Sequence, residues 1–395
     1  MSAVASRSSP RSRRSSGSRL DPHDDARLVV QTWFGTRLLM LLVAVWVMVT
    51  EHRAARDVFG NWDVAHYLGI AERGYAEANS IAFFPGWPLL VRLASSIGLP
   101  VLAVGMVLAM LASGFAAAAL YRLGGAPAAI AWLLAPTAVF TLVPYTEAVF
   151  CAAAFWAWER ATAKQWGAAA VLAAVAASVR VSGVFLVAAL AVLALTQAGA
   201  ARERGRRLLW LGLPTAVVAA YLGYLYAITG RWTAWLDAQT SGWARGFAWP
   251  WQSLQHTLSV LAPGAYADHP EWHWVFAAEI VAMAVGLLVT IVCLVQRRWA
   301  EATWVGLQVV AFGTSYWFMS VNRAVLLWFP LWILVGRLVD EPVLPFAGLA
   351  LGRADRRVEG RVAGQAAVHR NHLLLGDVEP GGDLAHLLGI EVAVV

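Results

Sequence analysis

Four short clusters hold the residues of this chain that could do chemistry. The first is Trp62-Asp63 with His66 and Tyr67. On a helix the i, i+3, i+4 spacing puts Asp63, His66 and Tyr67 on one face. The second is Pro144-Tyr145-Thr146-Glu147, and the third is Ser178-Val179-Arg180-Val181-Ser182-Gly183, inside the apolar stretch Gly167–Leu195. The fourth is Ser320-Val321-Asn322-Arg323, followed by Phe329-Pro330. A charge beside hydrocarbon costs at least ~2.5 kcal/mol on insertion scales, so such residues face a cavity or a partner. Each also has a plainer reading. Asp63 suits a helix N-cap, and Glu147 suits the first turn of a helix against its dipole. Arg180 and Arg323 suit charged turns at helix ends.

Two arginines and a carboxylate on one side suggest a specific chemistry. Guanidinium groups take phosphate oxygens in a fork, and a carboxylate accepts a proton from a hydroxyl. Together they suit transfer of a sugar from a lipid phosphate to an alcohol. The leaving phosphate has its charge stabilised, while the attacking hydroxyl needs a base and positioning. The expected roles are Asp63 as catalytic base, Arg180 and Arg323 on the donor phosphate, and Trp62, His66, Tyr67 and Glu147 around the substrates. No Asp-x-Asp pair appears, so a metal-bound nucleotide sugar fits less well. No metal and no cofactor are expected; the lipid-phosphate sugar is a donor substrate. A lipid-linked-sugar transporter or flippase without chemistry is the alternative. Transport predicts ionisable residues spread through the membrane depth, whereas here they gather on one side.

The elements that must position these residues are membrane helices. Of 395 residues 59% are hydrophobic and only 14% charged, with a mean hydropathy of +0.60. Stretches of roughly 20 apolar residues recur, each about the length that crosses hydrocarbon. The reading is an all-α polytopic membrane protein without a separate soluble domain. About ten transmembrane helices fit, the first near 37–50 and the last near 324–338. Two long outer loops separate them, 51–99 and 229–273, and the first is expected to be helical. Several spans are short, as for broken or cavity-lining helices.

The net charge of +6 sits mostly as arginine in short loops, which argues against nucleic-acid binding. Arg122, Arg160 with Lys164, the Arg202–Arg207 group, and Arg297 with Arg298 all fall on one predicted side. By the positive-inside rule that side is cytoplasmic, with both termini, and the four clusters lie outside. Arg37, near the start of the first span, is expected to snorkel to the interface. Cys151 and Cys293 both lie in apolar spans, which argues against a disulfide framework. Residues 1–30 read as a disordered basic tail, 31–340 as the membrane domain, and 341–395 as a cytoplasmic tail. The loop 229–274 holds seven tryptophans, which read as an interfacial belt or as a lid over a lipid or sugar.

The span Asn61–Leu90 resembles the signature loop of the PIG-V family, the GPI mannosyltransferase II group and its bacterial relatives. The matching elements are Trp62-Asp63, His66-Tyr67, Ile70-Ala71-Glu72, Gly74-Tyr75, and Ala82-Phe83-Phe84-Pro85-Gly86 with Pro88. Pro144-Tyr145-Thr146-Glu147, Arg180-Val181-Ser182-Gly183, and Arg323 with Phe329-Pro330 follow in order. The resemblance covers roughly 37–338, and its first loop is the specific part. It implies a GT-C fold with the active site on the non-cytoplasmic side. It also implies a polyprenyl- or dolichyl-phosphate mannose donor and inversion at the sugar carbon. The acidic residue of the family's first outer loop corresponds to Asp63. One departure is the polar stretch after Asp340, where family members commonly have a further apolar span. Composition rich in Ala, Arg, Gly and Val reads as bacterial, so a cell-envelope lipid, glycan or protein is the expected acceptor.

Overall fold

The computed structural model describes residues 22–340. The expected tail at 341–395 and residues 1–21 of that at 1–30 lie outside the described residues, while 22–30 belong to the helix that opens them. Sixteen α-helices are present among them. The first four are α1 (Pro22–Thr50), α2 (Ala55–Phe59), α3 (Asp63–Arg73) and α4 (Gly86–Ser95). Then come α5 (Val101–Leu133), α6 (Glu147–Thr162), α7 (Trp166–Val179) and α8 (Ser182–Thr196). They are followed by α9 (Ala201–Trp210), α10 (Gly212–Thr229), α11 (Ala234–Trp243) and α12 (Pro250–Val260). The last are α13 (Trp272–Val295), α14 (Trp299–Gly313), α15 (Val321–Ala324) and α16 (Phe329–Asp340).

Four segments are long and apolar enough to cross a membrane: His23–Thr50, Val101–Leu133, Ala201–Thr229 and Trp272–Val295. A fifth is added if Val321–Leu327 and Phe329–Val339, bent by 71°, form one broken span. Helices α7 and α8 are apolar but shorter. Several expected boundaries move. The first helix starts at Pro22, well before residue 37. Residues 101–133 form one element, α5, broken at Gly125. There φ is +81°, a conformation open to glycine, and Pro127 just beyond lacks the amide that a continuous ladder would need. Residues 134–146 then form turns rather than a full helix.

The broken segment before α16 is held by buried indoles. Trp332, Trp132 and Trp304 donate Nε1–H to the carbonyls of Val325, Leu326 and Leu327 at 3.1, 3.0 and 3.0 Å. A helix can break at membrane depth only when other groups satisfy its freed carbonyls. Here three tryptophans do so, and they fix where the chain carrying Arg323 leaves the bundle. Small residues let α16 approach α5. A Cβ on Gly124 would meet Ile333 Cγ1 at 2.8 Å, and one on Gly336 would meet the Ala128 amide nitrogen at 2.7 Å.

The loop 51–99 packs rather than floats. Helix α3 buries Val64, Tyr67, Leu68 and Ala71, an i, i+3, i+4, i+7 stripe, and stops at Gly74 with φ +73°. The aromatic-proline string after it docks the loop on the bundle. Trp87 is fully buried and donates Nε1–H to the Pro144 carbonyl at 2.9 Å. Gly86 lies so close to α7 that a Cβ would meet the Ser178 carbonyl oxygen at 2.6 Å. The string thus ties the Asp63 loop to the turns that carry Glu147 and Arg180.

Arg37 departs from expectation. Its residue is only 3% exposed, and it donates to the hydroxyls of Thr141 and, at 3.0 Å, Thr36. The turn Ala138–Thr141 presents a hydroxyl to α1, so the guanidinium binds inside the bundle instead of reaching the interface.

Candidate active site

Asp63 is the first residue of α3, and Trp62 holds the N-cap place without a side-chain cap bond. The Asp63 carboxylate therefore points away from the helix's own amides to a partner. That partner is Arg323, whose Nη1 lies 2.9 Å from Asp63 Oδ2 across 260 positions of sequence. Glu147 opens α6 and is fully buried. Its Oε1 lies 2.5 Å from Arg180 Nη1 and 3.9 Å from Arg323 Nη1. The four groups form a chain of alternating charge, Asp63–Arg323–Glu147–Arg180. The side chains of Asp63, Arg180 and Arg323 keep 17, 17 and 14% of their surface, whereas Glu147 keeps none. Three members can therefore meet a ligand, and the fourth braces them from beneath.

The remaining expected residues surround this chain. Tyr67 is buried, with its hydroxyl 3.4 Å from Thr146 Oγ1, which also accepts from Arg180 Nη1 at 2.9 Å. Burial, then the nearby Asp63 charge, pushes the Tyr67 phenol above its usual range, so it remains a neutral hydroxyl. His66 stacks on Phe83 at 4.9 Å and meets the edge of Trp243 at 5.7 Å. Trp62 is half exposed. Its φ of +58° is rare for a residue with a Cβ. Ser320, just before α15, shares that oddity with φ +68°. Both unusual backbones immediately precede the short helices that bring Asp63 and Arg323 together.

Glu279, Arg245, Phe140 and Trp243 lie outside the four sequence clusters and contribute beside Ser320 and Tyr145, which lie within them. Glu279 of α13 accepts backbone N–H groups from Ser320, Val321 and Asn322 at 2.8, 2.6 and 2.9 Å. It anchors the start of α15 from another helix. Ser320 Oγ accepts from Arg323 Nη2 at 2.8 Å and from Arg245 Nη2 at 3.2 Å. Arg245 is thus a third guanidinium near the pair, and burial lowers its pKa to about 10. Tyr145 and Phe140 place their rings 5.0 and 5.4 Å from the Arg323 guanidinium, and Trp243 walls His66. Only the Ala-Arg-Gly break in the tryptophan loop hinted at Arg245; Glu279 sits in a run otherwise indistinguishable from a lipid-facing helix.

The tryptophan loop is partly packed and partly exposed. Trp235 Nε1 and Gln239 Nε2 donate to the Ala82 carbonyl at 3.1 and 3.2 Å, and Trp243 packs on Phe83. Helix α11 therefore covers the first loop. Trp232, Trp249, Trp251 and Trp274 are more than half exposed. Among the described residues no group of three His, Cys, Asp or Glu side chains converges to hold a metal.

Fold and site together define an all-helical, multi-pass membrane protein with a carboxylate–guanidinium centre at one end of its bundle. A 141-residue part is 33% identical to GPI alpha-1,6-mannosyltransferase 2 of Mus musculus, covering 31% of this chain and 29% of that protein. The protein of the same name from Homo sapiens is 31% identical over 142 residues, 31% of this chain and 29% of its own length. The match thus spans under a third of these curated relatives. No family model matches the sequence, and no solved structure matches it.

Proposed function

We propose that this protein is an integral membrane glycosyltransferase. It moves a sugar, with mannose favoured, from a polyprenyl-phosphate donor to a hydroxyl of a cell-envelope lipid, glycan or protein. The observation that carries the reading is the Asp63–Arg323–Glu147–Arg180 chain, assembled from four separate sequence clusters. The partial similarity to mannosyltransferases supports the class. A GT-C-like arrangement of about ten membrane-crossing segments, with cytoplasmic termini and an extracytoplasmic site, belongs to the same proposal.

In this mechanism the donor phosphate enters between the two arginines and takes N–H donors from Arg180 and Arg323. Arg323 then shares its charge between Asp63 and the phosphate. Asp63 accepts the proton of the acceptor hydroxyl as its oxygen attacks the sugar carbon. The carbon–oxygen bond to phosphate breaks on the opposite face, and its electron pair stays on the phosphate oxygen. A single displacement inverts the sugar carbon. Glu147 holds Arg180 and Arg323 in place, while Tyr67, His66 and Trp62 shape the acceptor side. Arg245 adds positive charge near the phosphate.

The test is transfer of labelled mannose from polyprenyl-phosphate mannose in membranes containing the protein. Asp63→Asn is expected to lower turnover by roughly 100-fold or more, the usual size of general-base catalysis. Wild-type turnover in that variant would remove Asp63 from its role. Translocation of a labelled lipid without any new glycosidic bond would establish the transporter alternative instead.

A further inference from the structure

Three guanidiniums gather at the candidate site, and two of them are neutralised where they stand. Arg323 pairs with Asp63, and Arg180 pairs with Glu147. Arg245, the third, makes no ion pair among the described residues. Glu279, the remaining carboxylate nearby, is spent on the amides of Ser320, Val321 and Asn322.

The nitrogens of Arg245 are unevenly used. Nη2 donates to Ser320 Oγ at 3.2 Å and to the Met319 carbonyl at 3.4 Å, both at the long end for a charged donor. Nη1 has no acceptor among the described residues and, unlike Nε, is not buried. An accessible guanidinium N–H without a carboxylate gains most from an incoming anion. Ser320 locates where that anion fits. Its Oγ accepts from Arg245 and, at 2.8 Å, from Arg323 Nη2. Two like charges thus converge on one neutral hydroxyl, where each raises the cost of the other. Burial, then the Arg323 charge, lowers the Arg245 pKa to about 10, so it is still protonated at neutral pH. A phosphate beside both guanidiniums turns that repulsion into attraction.

The backbone places Arg245 for this contact. Ala244 ends α11 with φ +50°, a conformation rare for a residue with a Cβ. Just beyond, Phe247 pairs with Ser315, and the Ala248 N–H donates to the Thr314 carbonyl at 3.0 Å. On the other side, α11 is tied to the Ala82 carbonyl through Trp235 and Gln239. The loop 229–273 is therefore pinned on both sides of Arg245, and this is the guanidinium that it brings to the site.

Resting on the transferase reading for the ligand's identity, we infer that Arg245 binds the phosphate of the lipid-linked donor directly, beside Arg323, and holds that phosphate after it leaves the sugar. The test uses the purified full chain in neutral detergent, with bound lipid counted by native mass spectrometry. Undecaprenyl phosphate is compared with undecaprenol, which has the same chain without the phosphate. The wild type is expected to bind the phosphate more tightly than the alcohol. R245Q is expected to weaken undecaprenyl phosphate about tenfold, the effect of one lost hydrogen bond to a charged group, and to leave undecaprenol unchanged. S320A removes the shared hydroxyl and keeps both cations, so it is expected to stay within about threefold of wild type for the phosphate. No preference for the phosphate in the wild type, or equal phosphate binding by wild type and R245Q, would overturn the contact. Loss of both lipids together in R245Q, or a loss in S320A equal to that in R245Q, would assign Arg245 to pinning the fold instead. Labelled-mannose transfer by the wild type separates the two claims. Transfer with undiminished phosphate binding in R245Q would remove Arg245 and keep the transferase. Arg245-dependent phosphate binding without any transfer would keep the contact and remove the transferase.

Discussion

At the scale of single residues, each carboxylate of the site is committed to a guanidinium, and the two pairs differ in depth. Glu147 is fully buried against Arg180. Removing one partner of a buried pair leaves an uncompensated charge, so Glu147→Gln is expected to destabilise the protein by about 3–5 kcal/mol. A lowered melting midpoint in detergent, read by intrinsic fluorescence, would show it. Asp63 and Arg323 are partly open, so Asp63→Asn should affect turnover far more than melting. Arg323→Lys tests the same pair from the other side. A lysine keeps the charge but loses the fork that reaches Asp63 and Ser320 together. Transfer activity is expected to fall at least about tenfold, and full activity in that variant would mean a point charge suffices.

At the scale of elements, the site depends on three docking devices that hold short helices in place. Gly86 gives α4 its close approach to Ser178, two residues before Arg180. Gly86→Ala is expected to cost about 1–3 kcal/mol, the usual penalty of overpacking, and to reduce activity with it. Glu279 anchors α15, and Glu279→Ala strips three amides of their shared side-chain acceptor. Arg323 then loses its fixed start, so turnover should fall although position 279 is absent from the Asp63 contact. An unchanged rate in that variant would show that the tryptophan-held segment 325–327 suffices to fix α15. The indoles of Trp132 and Trp304 are the third device. Replacing Trp304 with Phe takes the indole donor from the Leu327 carbonyl, expected to cost about 1–3 kcal/mol, whereas Trp132→Phe leaves the Leu326 carbonyl the weaker Cys151 thiol at 3.5 Å.

At the scale of the molecule, ion pairs gather at both ends of the bundle. Glu147 opens α6, and Glu159 near its close pairs with Arg122 at 2.7 Å and with Arg160 at 2.6 Å. One end carries the candidate site and the other carries pairs flanked by Lys164 and the α9 arginines. The sidedness proposed here is open to direct labelling, because Cys151 and Cys293 are both free and buried. A cysteine introduced at Trp232, two-thirds exposed in the loop 229–273, should react with an impermeant maleimide in intact cells. One introduced at Lys164 should react only after permeabilisation. The reverse result would invert the topology and place the Asp63 cluster in the cytoplasm.

The sequence by itself determined the class: too little charge and too many apolar runs for anything but a multi-pass helical protein. It also marked Asp63, Glu147, Arg180 and Arg323, because a charge at the edge of an apolar run is costly enough to be conspicuous. The i, i+3, i+4 face of α3 was likewise legible, since helical periodicity is local. What only the tertiary structure decided is which charge meets which. Nothing in the spacing of residues 63 and 323 says that Arg323 rather than Arg180 takes Asp63, since that pairing follows from where α16 crosses α5 and where α15 is anchored. Arg37 was misread for the same reason. A hydroxyl donated by a turn a hundred residues away changes an interfacial arginine into a buried one. Glu279 was invisible because its role is to cap another helix, and a helix end assembled across the fold leaves no pattern along the chain.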